Sequence, residues 1–530
     1  MSVEAPEHTV TGLETAQHPT WRHRRGKALA LLIPLTLLAV AGTLRFYRLD
    51  EPQRCYFDET YYYYQARDLR EQGVERLFAV HPPVGKWMIA GGLALFGVER
   101  GSPLDEAVVV DPGECRVSDQ AENSPARTRE AAESFARRFA PALVGTLWVG
   151  VTYLAALRLF RRRGTAALAA LLLSVEGLAF TMSRIAMLDV FLGFWVTVGF
   201  WLLLVDRDQQ WAGPHGMPPH HKDDPLPRRP RWARYLAGVA FGLALATKWS
   251  ALLAIAAAGL FLMVSELAWR RQLTGSPWVK TGRIVVSGTV TLVLVPLAVY
   301  VLSYSSWFAN FEYTQVSQQL CSAQGSVQEC PTSLAGQVER VAQSWLGEQA
   351  RIFRFHRDLD AEHPYRAPAR TWPLLLRPVA YYYESCPQAD ADQGASCQVQ
   401  RGHVAEILGI GNPMIWWMAL PAYLVVLWAA ARRREWAAGA ILVFLVLQYV
   451  PWFWSPRPVF LFYATPLVPF ICLALAYAAV RASARRRLRW IPAAVATLAL
   501  IGFLFWYPVL AGLEIPRSMW QLRMWLPSWI

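Results

Sequence analysis

The apolar positions of this chain gather into eleven long runs, at about residues 28–44, 139–157, 164–181, 185–205, 235–246, 249–268, 284–305, 413–431, 436–454, 459–480 and 490–511. Most approach the roughly 20 residues a helix needs to cross a hydrocarbon core, where every backbone N–H and C=O must be satisfied within the segment. The pattern predicts an all-α integral membrane protein with about 11 transmembrane helices. Only Thr247-Lys248 separates two of the runs. Polar sequence interrupts them at length twice, over 45–138 and 306–412. The expected organisation is a tail (1–27), a first membrane region with its long loop (28–305), a second long loop (306–412), a four-helix region (413–511) and a tail (512–530).

Composition sharpens this reading. Hydrophobic residues make up 54% and charged residues 17%, against roughly 45–50% and 25% in soluble domains. That content excludes disorder over most of the chain. Yet 52 Lys/Arg against 39 Asp/Glu leave a formal charge of +13. A soluble nucleic-acid binder would need more surface charge and less Leu, Ala, Val and Trp, so no nucleic-acid partner is expected. Twenty-six of the cations fall in 1–27, 158–163, 206–234, 269–283, 432–435 and 481–489, whereas the long loops carry 13 and 8 cations against 16 and 11 acids. This asymmetry places the short basic segments inside. With an odd number of spans, the N-terminus is then inside and the C-terminus outside. Arg22–Lys27 before an apolar run ending Ala39-Val40-Ala41 also looks like a signal peptide, but a retained first span is the expectation.

Six of the seven cysteines fall in the outside loops: Cys55, Cys115, Cys321, Cys330, Cys386 and Cys397. An even number there, with Cys472 alone in a span, fits disulfides in an oxidising compartment. Nearest-neighbour pairing is one of fifteen connectivities. No metal site is expected: there is no CxxC, and His215, His220 and His221 sit in a Pro-rich inside loop. Walker and dinucleotide motifs are absent too, which directs the search for chemistry to the outside.

After the first run comes Phe57-Asp58-Glu59 followed by Tyr61–Tyr64. One reading is an interfacial helix, with an acid at its positive end and tyrosines at headgroup level. The other is a general base: a carboxylate at the lip of a cavity, able to take a proton from an incoming hydroxyl. Then comes His81-Pro82-Pro83-Val84-Gly85-Lys86, where Lys86 is read either as a snorkelling anchor or as a ligand for a lipid phosphate. Further candidates are Arg137 and Arg138, Lys248, and Arg184 with Asp189. Intramembrane charges default to function, but Arg184 and Asp189, five apart, equally allow mutual neutralisation.

These segments, with Ser183–Asp189, Ala246–Ser250, His363-Pro364-Tyr365, Trp372-Pro373-Leu374, Arg377-Pro378, Gly411-Asn412-Pro413 and Arg457…Phe462-Tyr463, follow one another over about residues 40–480. In that order they resemble the bacterial, actinobacterial form of the protein O-mannosyltransferases. The resemblance implies a C-type glycosyltransferase fold in the cytoplasmic membrane. It implies transfer of mannose, with inversion, from polyprenyl-phosphate-mannose to Ser/Thr of secreted proteins, with proteins emerging from a secretion channel as one expected acceptor source. Eukaryotic members insert a β-trefoil module that 306–412 is too short to hold.

On this reading Asp58 is the catalytic base and Glu59 its positioning neighbour. Lys86, Arg138, Arg137 and Lys248 face the donor phosphate, and His81, Arg184, Asp189, Trp372 and Arg377 support the site. No cofactor is implied, since the lipid-linked sugar is a substrate, and Asp58 with Glu59 is a poor metal-ligand set. Two alternatives remain: a C-type transferase for another sugar or a lipid acceptor, and a lipid or sugar transporter. Against the transporter, no second half resembles the first.

Overall fold

The computed structural model of the chain describes residues 20–76, 78–98, 125–211, 231–274, 278, 281–314, 316–317, 333–360, 362–386 and 399–530. Its helices are α1 (Thr20–Phe46), α2 (Glu59–Gln72), α3 (Val84–Leu95), α4 (Pro125–Phe160), α5 (Arg163–Ser174), α6 (Gly177–Met182), α7 (Asp189–Trp211), α8 (Trp232–Leu245) and α9 (Ala251–Thr274). They continue as α10 (Thr281–Thr289), α11 (Val295–Ser303), α12 (Ser305–Ala309), α13 (Leu334–Asp358), α14 (Pro413–Ala431), α15 (Trp436–Tyr449), α16 (Val468–Ala482), α17 (Ile491–Ala511) and α18 (Arg517–Gln521).

Among the described residues, eight helical segments are long and apolar enough to cross a membrane. The other three expected runs, 28–44, 164–181 and 235–246, fall on the shorter apolar helices Leu31–Phe46, Arg163–Ser174 and Trp232–Leu245.

Several runs are not single α-helices, and two of the breaks have identifiable reasons. In 164–181 the helix stops after Ser174, and the buried Glu176 caps α6 by accepting from the Ala179 N–H at 2.7 Å. The same carboxylate takes the Asn412 N–H and the Trp416 indole N–H at 3.0 and 2.9 Å, which ties this break to the start of α14. In 284–305, Pro296 has no N–H to return to the preceding turn and its ring crowds that turn's carbonyl. A π-helical turn, Val290–Leu294, stands just before it.

The large outer loop holds what the apolar pattern did not predict, a small antiparallel sheet. Strands β1 (Val379–Ser385), β2 (His403–Gly409) and β3 (Glu514–Pro516) lie in that order, with Val379 opposite Gly409 and His403 opposite Pro516. β3 belongs to the C-terminal tail, so the tail and the loop share one side of the molecule. Arg377 fastens it further, donating to the carbonyls of Ser528 and Ile530 at 2.5 and 3.0 Å. A bulge between Ala380 and Tyr382 lets Tyr381 turn inward over Gly409, where any Cβ would strike its ring.

Cys55 and Cys386 each take part in a disulfide. Cys115, Cys321, Cys330 and Cys397, like the three histidines of the 206–234 loop, lie outside the described residues.

Candidate active site

Asp58 stands immediately before α2, and its side chain makes no capping bond to that helix. It is therefore available for other work. The preceding Phe57 has φ +57°, a left-handed conformation that costs a non-glycine residue roughly 1–2 kcal/mol. Edge-on packing against Tyr381, Phe462 and His363 holds it there, at centroid distances of 5.2, 5.9 and 6.0 Å. The strained turn places Asp58 within electrostatic reach of Lys248 and Asp189, beside Tyr62. Burial, only partly offset by Lys248, raises its pKa to about 6.

Glu59 points elsewhere. It is fully buried, and one of its oxygens accepts from the Arg137 and Arg138 Nε at 2.6 and 3.0 Å. Arg138 also donates to the carbonyls of Leu49, Pro52 and Arg54, at 3.2, 3.0 and 2.7 Å. Both arginines thus pin the first loop to α4. The donor phosphate expected beside them would have to displace these partners.

Lys86 is likewise committed. It is wholly buried, paired with Glu75 and donating to the His81 carbonyl at 2.7 Å. A snorkelling lysine keeps its ammonium in water, so the anchor reading does not describe it. The tyrosines differ from their interfacial reading too: Tyr62 and Tyr63 are buried, and in this run Tyr61 is the exposed one.

Nor do Arg184 and Asp189 neutralise each other. Arg184 caps α1, donating to the carbonyls of Arg45, Tyr47 and Arg48 at 2.9, 2.7 and 3.0 Å. Asp189 takes both its bonds from Lys248, at 2.8 and 3.0 Å. Trp372 is buried with its indole on the Ala367 carbonyl.

The Lys248–Asp189 pair opens on a cavity of about 350 Å³ lined also by His81, Trp249, His356, Trp452, Arg457 and Tyr463. Arg457 donates to the Tyr463 hydroxyl at 2.8 Å and to Nδ1 of His356. The other nitrogen of His356 lies 2.8 Å from the Val80 carbonyl. A carbonyl only accepts and a guanidinium only donates, so His356 is neutral with its proton on Nε2. Burial and the Arg457 charge agree, lowering its pKa to about 4. His81 stacks on it at 5.2 Å, and burial lowers its pKa as well. The cavity therefore presents Lys248 and Arg457 between aromatic walls, with Asp58 within electrostatic reach; Arg357, also on the lining, is exposed and paired with Asp358. Among the described residues no group of three His, Cys, Asp or Glu is placed to hold a metal ion.

The description "Dolichyl-phosphate-mannose-protein mannosyltransferase" fits residues 115–310, and "C-terminal four TMM region of protein-O-mannosyltransferase" fits 341–529. A polyprenol-phosphate-mannose–protein mannosyltransferase of Mycobacterium tuberculosis is 32% identical, covering 93% of this chain and 90% of that protein. The chain belongs to the protein O-mannosyltransferase family.

The protein O-mannosyltransferase fold is shared with the Saccharomyces cerevisiae Pmt1-Pmt2 complex bound to its sugar donor, with a TM-score of 0.72 at 13% identity, covering 94% and 92% of the two chains. ArnT from Cupriavidus metallidurans, bound to undecaprenyl phosphate, is similar at a TM-score of 0.51 and 17% identity, over 90% and 76%. Within this mannosyltransferase, the structure brings Asp58, Asp189, Lys248 and His81 together. It sets Lys86, Arg137, Arg138, Arg184 and Arg377 elsewhere. Sequence reasoning did not select Arg457, Tyr463, His356 or Tyr62 as site residues. Arg457 and Tyr463 belonged to the ordered set of matching segments, which was the available signal. His356 on α13 carried none.

Proposed function

We propose that this enzyme transfers mannose from polyprenyl-phosphate-mannose to Ser/Thr hydroxyls of secreted proteins at the outer face of the cytoplasmic membrane. The observation that supports it best is the juxtaposition of Asp58 with the cationic cavity of Lys248 and Arg457. The acceptor oxygen attacks C1 of mannose from the face opposite the phosphate, its proton passes to the Asp58 carboxylate, and the C1–O bond to phosphate breaks. Phosphate is already a competent leaving group, so one carboxylate suffices where inverting hydrolases need two. Lys248 and Arg457 neutralise the charge that develops as it departs. This moves the phosphate-binding role from Lys86, Arg137 and Arg138 to Arg457, and keeps Lys248. Asp189 orients Lys248, and His356 orients Arg457.

Trp372, Trp416, Tyr423 and Tyr449 line an apolar cavity of about 240 Å³, and Trp452 of the polar cavity lies 6.2 Å from the Trp372 ring. We assign the prenyl chain to that groove. The charge asymmetry supports an inside N-terminus and an outside C-terminus, so that acceptors are met as they leave the secretion channel. We expect no metal requirement, because the phosphate faces side-chain cations and Glu59 is turned away from Asp58; a chelator should leave the rate unchanged.

Membranes carrying the protein, given labelled polyprenyl-phosphate-mannose and a Ser/Thr-rich peptide, should attach label to peptide hydroxyls. Label on lipid would support a lipid acceptor, and label moved across the membrane without covalent attachment would support a transporter.

A further inference from the structure

A second, larger cavity lies far from Asp58, at the opposite ends of the helices. It measures about 790 Å³ and opens between α1, α5, α16 and α17. Its walls are apolar, with Leu32, Leu168, Leu171 and Val480 prominent, and Arg162 stands on its lining. A volume in the roughly 300–1,000 Å³ range suits a lipid-sized ligand.

Three features set this recess apart from the smooth apolar face any membrane helix shows to lipid. First, Thr165 lines it; it is 4% exposed, and its hydroxyl has no protein partner among the described residues. A hydroxyl buried in apolar surroundings without a partner is costly. Second, α5 begins here, and the first N–H groups of a helix have no partner within it. Gly164 leaves the space beside them open, since nothing lies within 4 Å of where its Cβ would be. Third, the mouth is basic: Arg162 is exposed and lacks an acidic partner among the described residues, and Arg485, Arg486, Arg487 and Arg489 stand exposed just before α17. The nearby acid, Asp208, is held by Arg158 at 2.9 Å and by Arg161. An apolar slot, an amide-lined entrance and unmatched cations together describe one kind of molecule.

We infer that this recess binds an anionic glycerophospholipid of the membrane leaflet opposite the active site. One acyl chain fills the slot between α1 and α5. The headgroup phosphate meets Arg162, the Thr165 hydroxyl and the N–H groups of Gly164 and Thr165, an arrangement that favours an anion at a helix N-terminus. The arginines before α17 attract the anionic headgroup from the surrounding bilayer.

The test uses the full-length protein purified in mild detergent, with phosphatidylglycerol and phosphatidylcholine added in equal amounts and retained lipid measured by native mass spectrometry. Phosphatidylglycerol should be retained at about one molecule per chain in preference to phosphatidylcholine. Arg162→Gln should weaken that retention roughly tenfold, the effect of losing one charge-assisted contact. Ala493→Trp, at an exposed position on the wall, should block it by filling the slot. Equal retention of the two lipids, or retention that neither substitution changes, would overturn the proposal. So would displacement of the bound lipid by polyprenyl phosphate at equal concentration, since that would mark the recess as a second carrier site. Neither residue belongs to the transfer machinery, so mannosyl transfer in detergent should stay within twofold of the parent for both variants.

Discussion

Asp58 and Glu59 are neighbours in sequence, yet about 100° apart around the helix they begin, and that angle divides their tasks. Glu59 anchors the loop on Arg137 and Arg138, while Asp58 lies within electrostatic reach of Lys248 and Asp189. Asp58→Asn should abolish transfer while leaving membrane insertion intact; retained transfer in a labelled-donor assay would remove Asp58 as the base. The pH dependence follows from its environment. Burial raises the Asp58 pKa to about 6, and the base works only when ionised. The rate should therefore be flat above that value and fall about tenfold per unit below it, each unit being one decade of protonation. A pH–rate profile without that limb would argue for another base. Lys86 leads to a different expectation. Removing it leaves Glu75 buried without its partner, at a cost on the order of 3–5 kcal/mol. Lys86→Ala should lower the unfolding temperature in detergent, with the donor KM of the folded enzyme unchanged. A raised KM at unchanged stability would restore Lys86 to the donor phosphate.

At the scale of elements, two short breaks matter more than the long helices. Arg184, in the turn between α6 and α7, satisfies the terminal carbonyls of α1, which would otherwise be unpaired where water is scarce. Hydrogen bonds from a charged donor are worth roughly 1.5–3 kcal/mol each. Arg184→Lys, keeping the charge but offering no fork to spread over several carbonyls, should still destabilise the protein by a few kcal/mol by that measure. Thermal unfolding of the two proteins in the same detergent would show it, and an unchanged midpoint would mean water replaces the fork. Asn412 is comparable: it caps α14 through the Met414 N–H and donates to the Val175 and Ala499 carbonyls at 3.0 and 2.8 Å. One side chain thus joins α14 and α17 to the break between α5 and α6.

For the whole molecule, the short basic segments and the acidic long loops make orientation a testable consequence of sequence. In a background without other reactive thiols, a single cysteine replacing Arg366 should react with a membrane-impermeant maleimide on intact cells. One replacing Arg433 should react only after permeabilisation, and the reverse pattern would invert the topology.

Much of the molecule was legible in this way. Hydrophobic runs marked the membrane segments because the bilayer imposes a length and forbids unpaired backbone. Asp58, Lys248 and Asp189 were legible because charge near a membrane is costly and needs a reason. The sheet was not, since its strands are short and β3 comes from over a hundred residues beyond β2. Partners were not legible either. Lysine and arginine look alike whether they face a ligand or an internal carboxylate, and the sequence offered Lys86 and Arg138 where Arg457 stands at the cavity.

Sequence by itself determined the membrane class, the charge asymmetry between short and long loops, and the family, because these rest on composition and on ordered local motifs. Only the tertiary structure decided which cations are held by carboxylates away from the cavity and which stand on its lining. Such contacts form between residues close in space, and here chain folding brings Asp189 to Lys248 as an ion pair, 59 positions away, and the neutral His356 to Arg457 as a hydrogen-bond acceptor, 101 positions away.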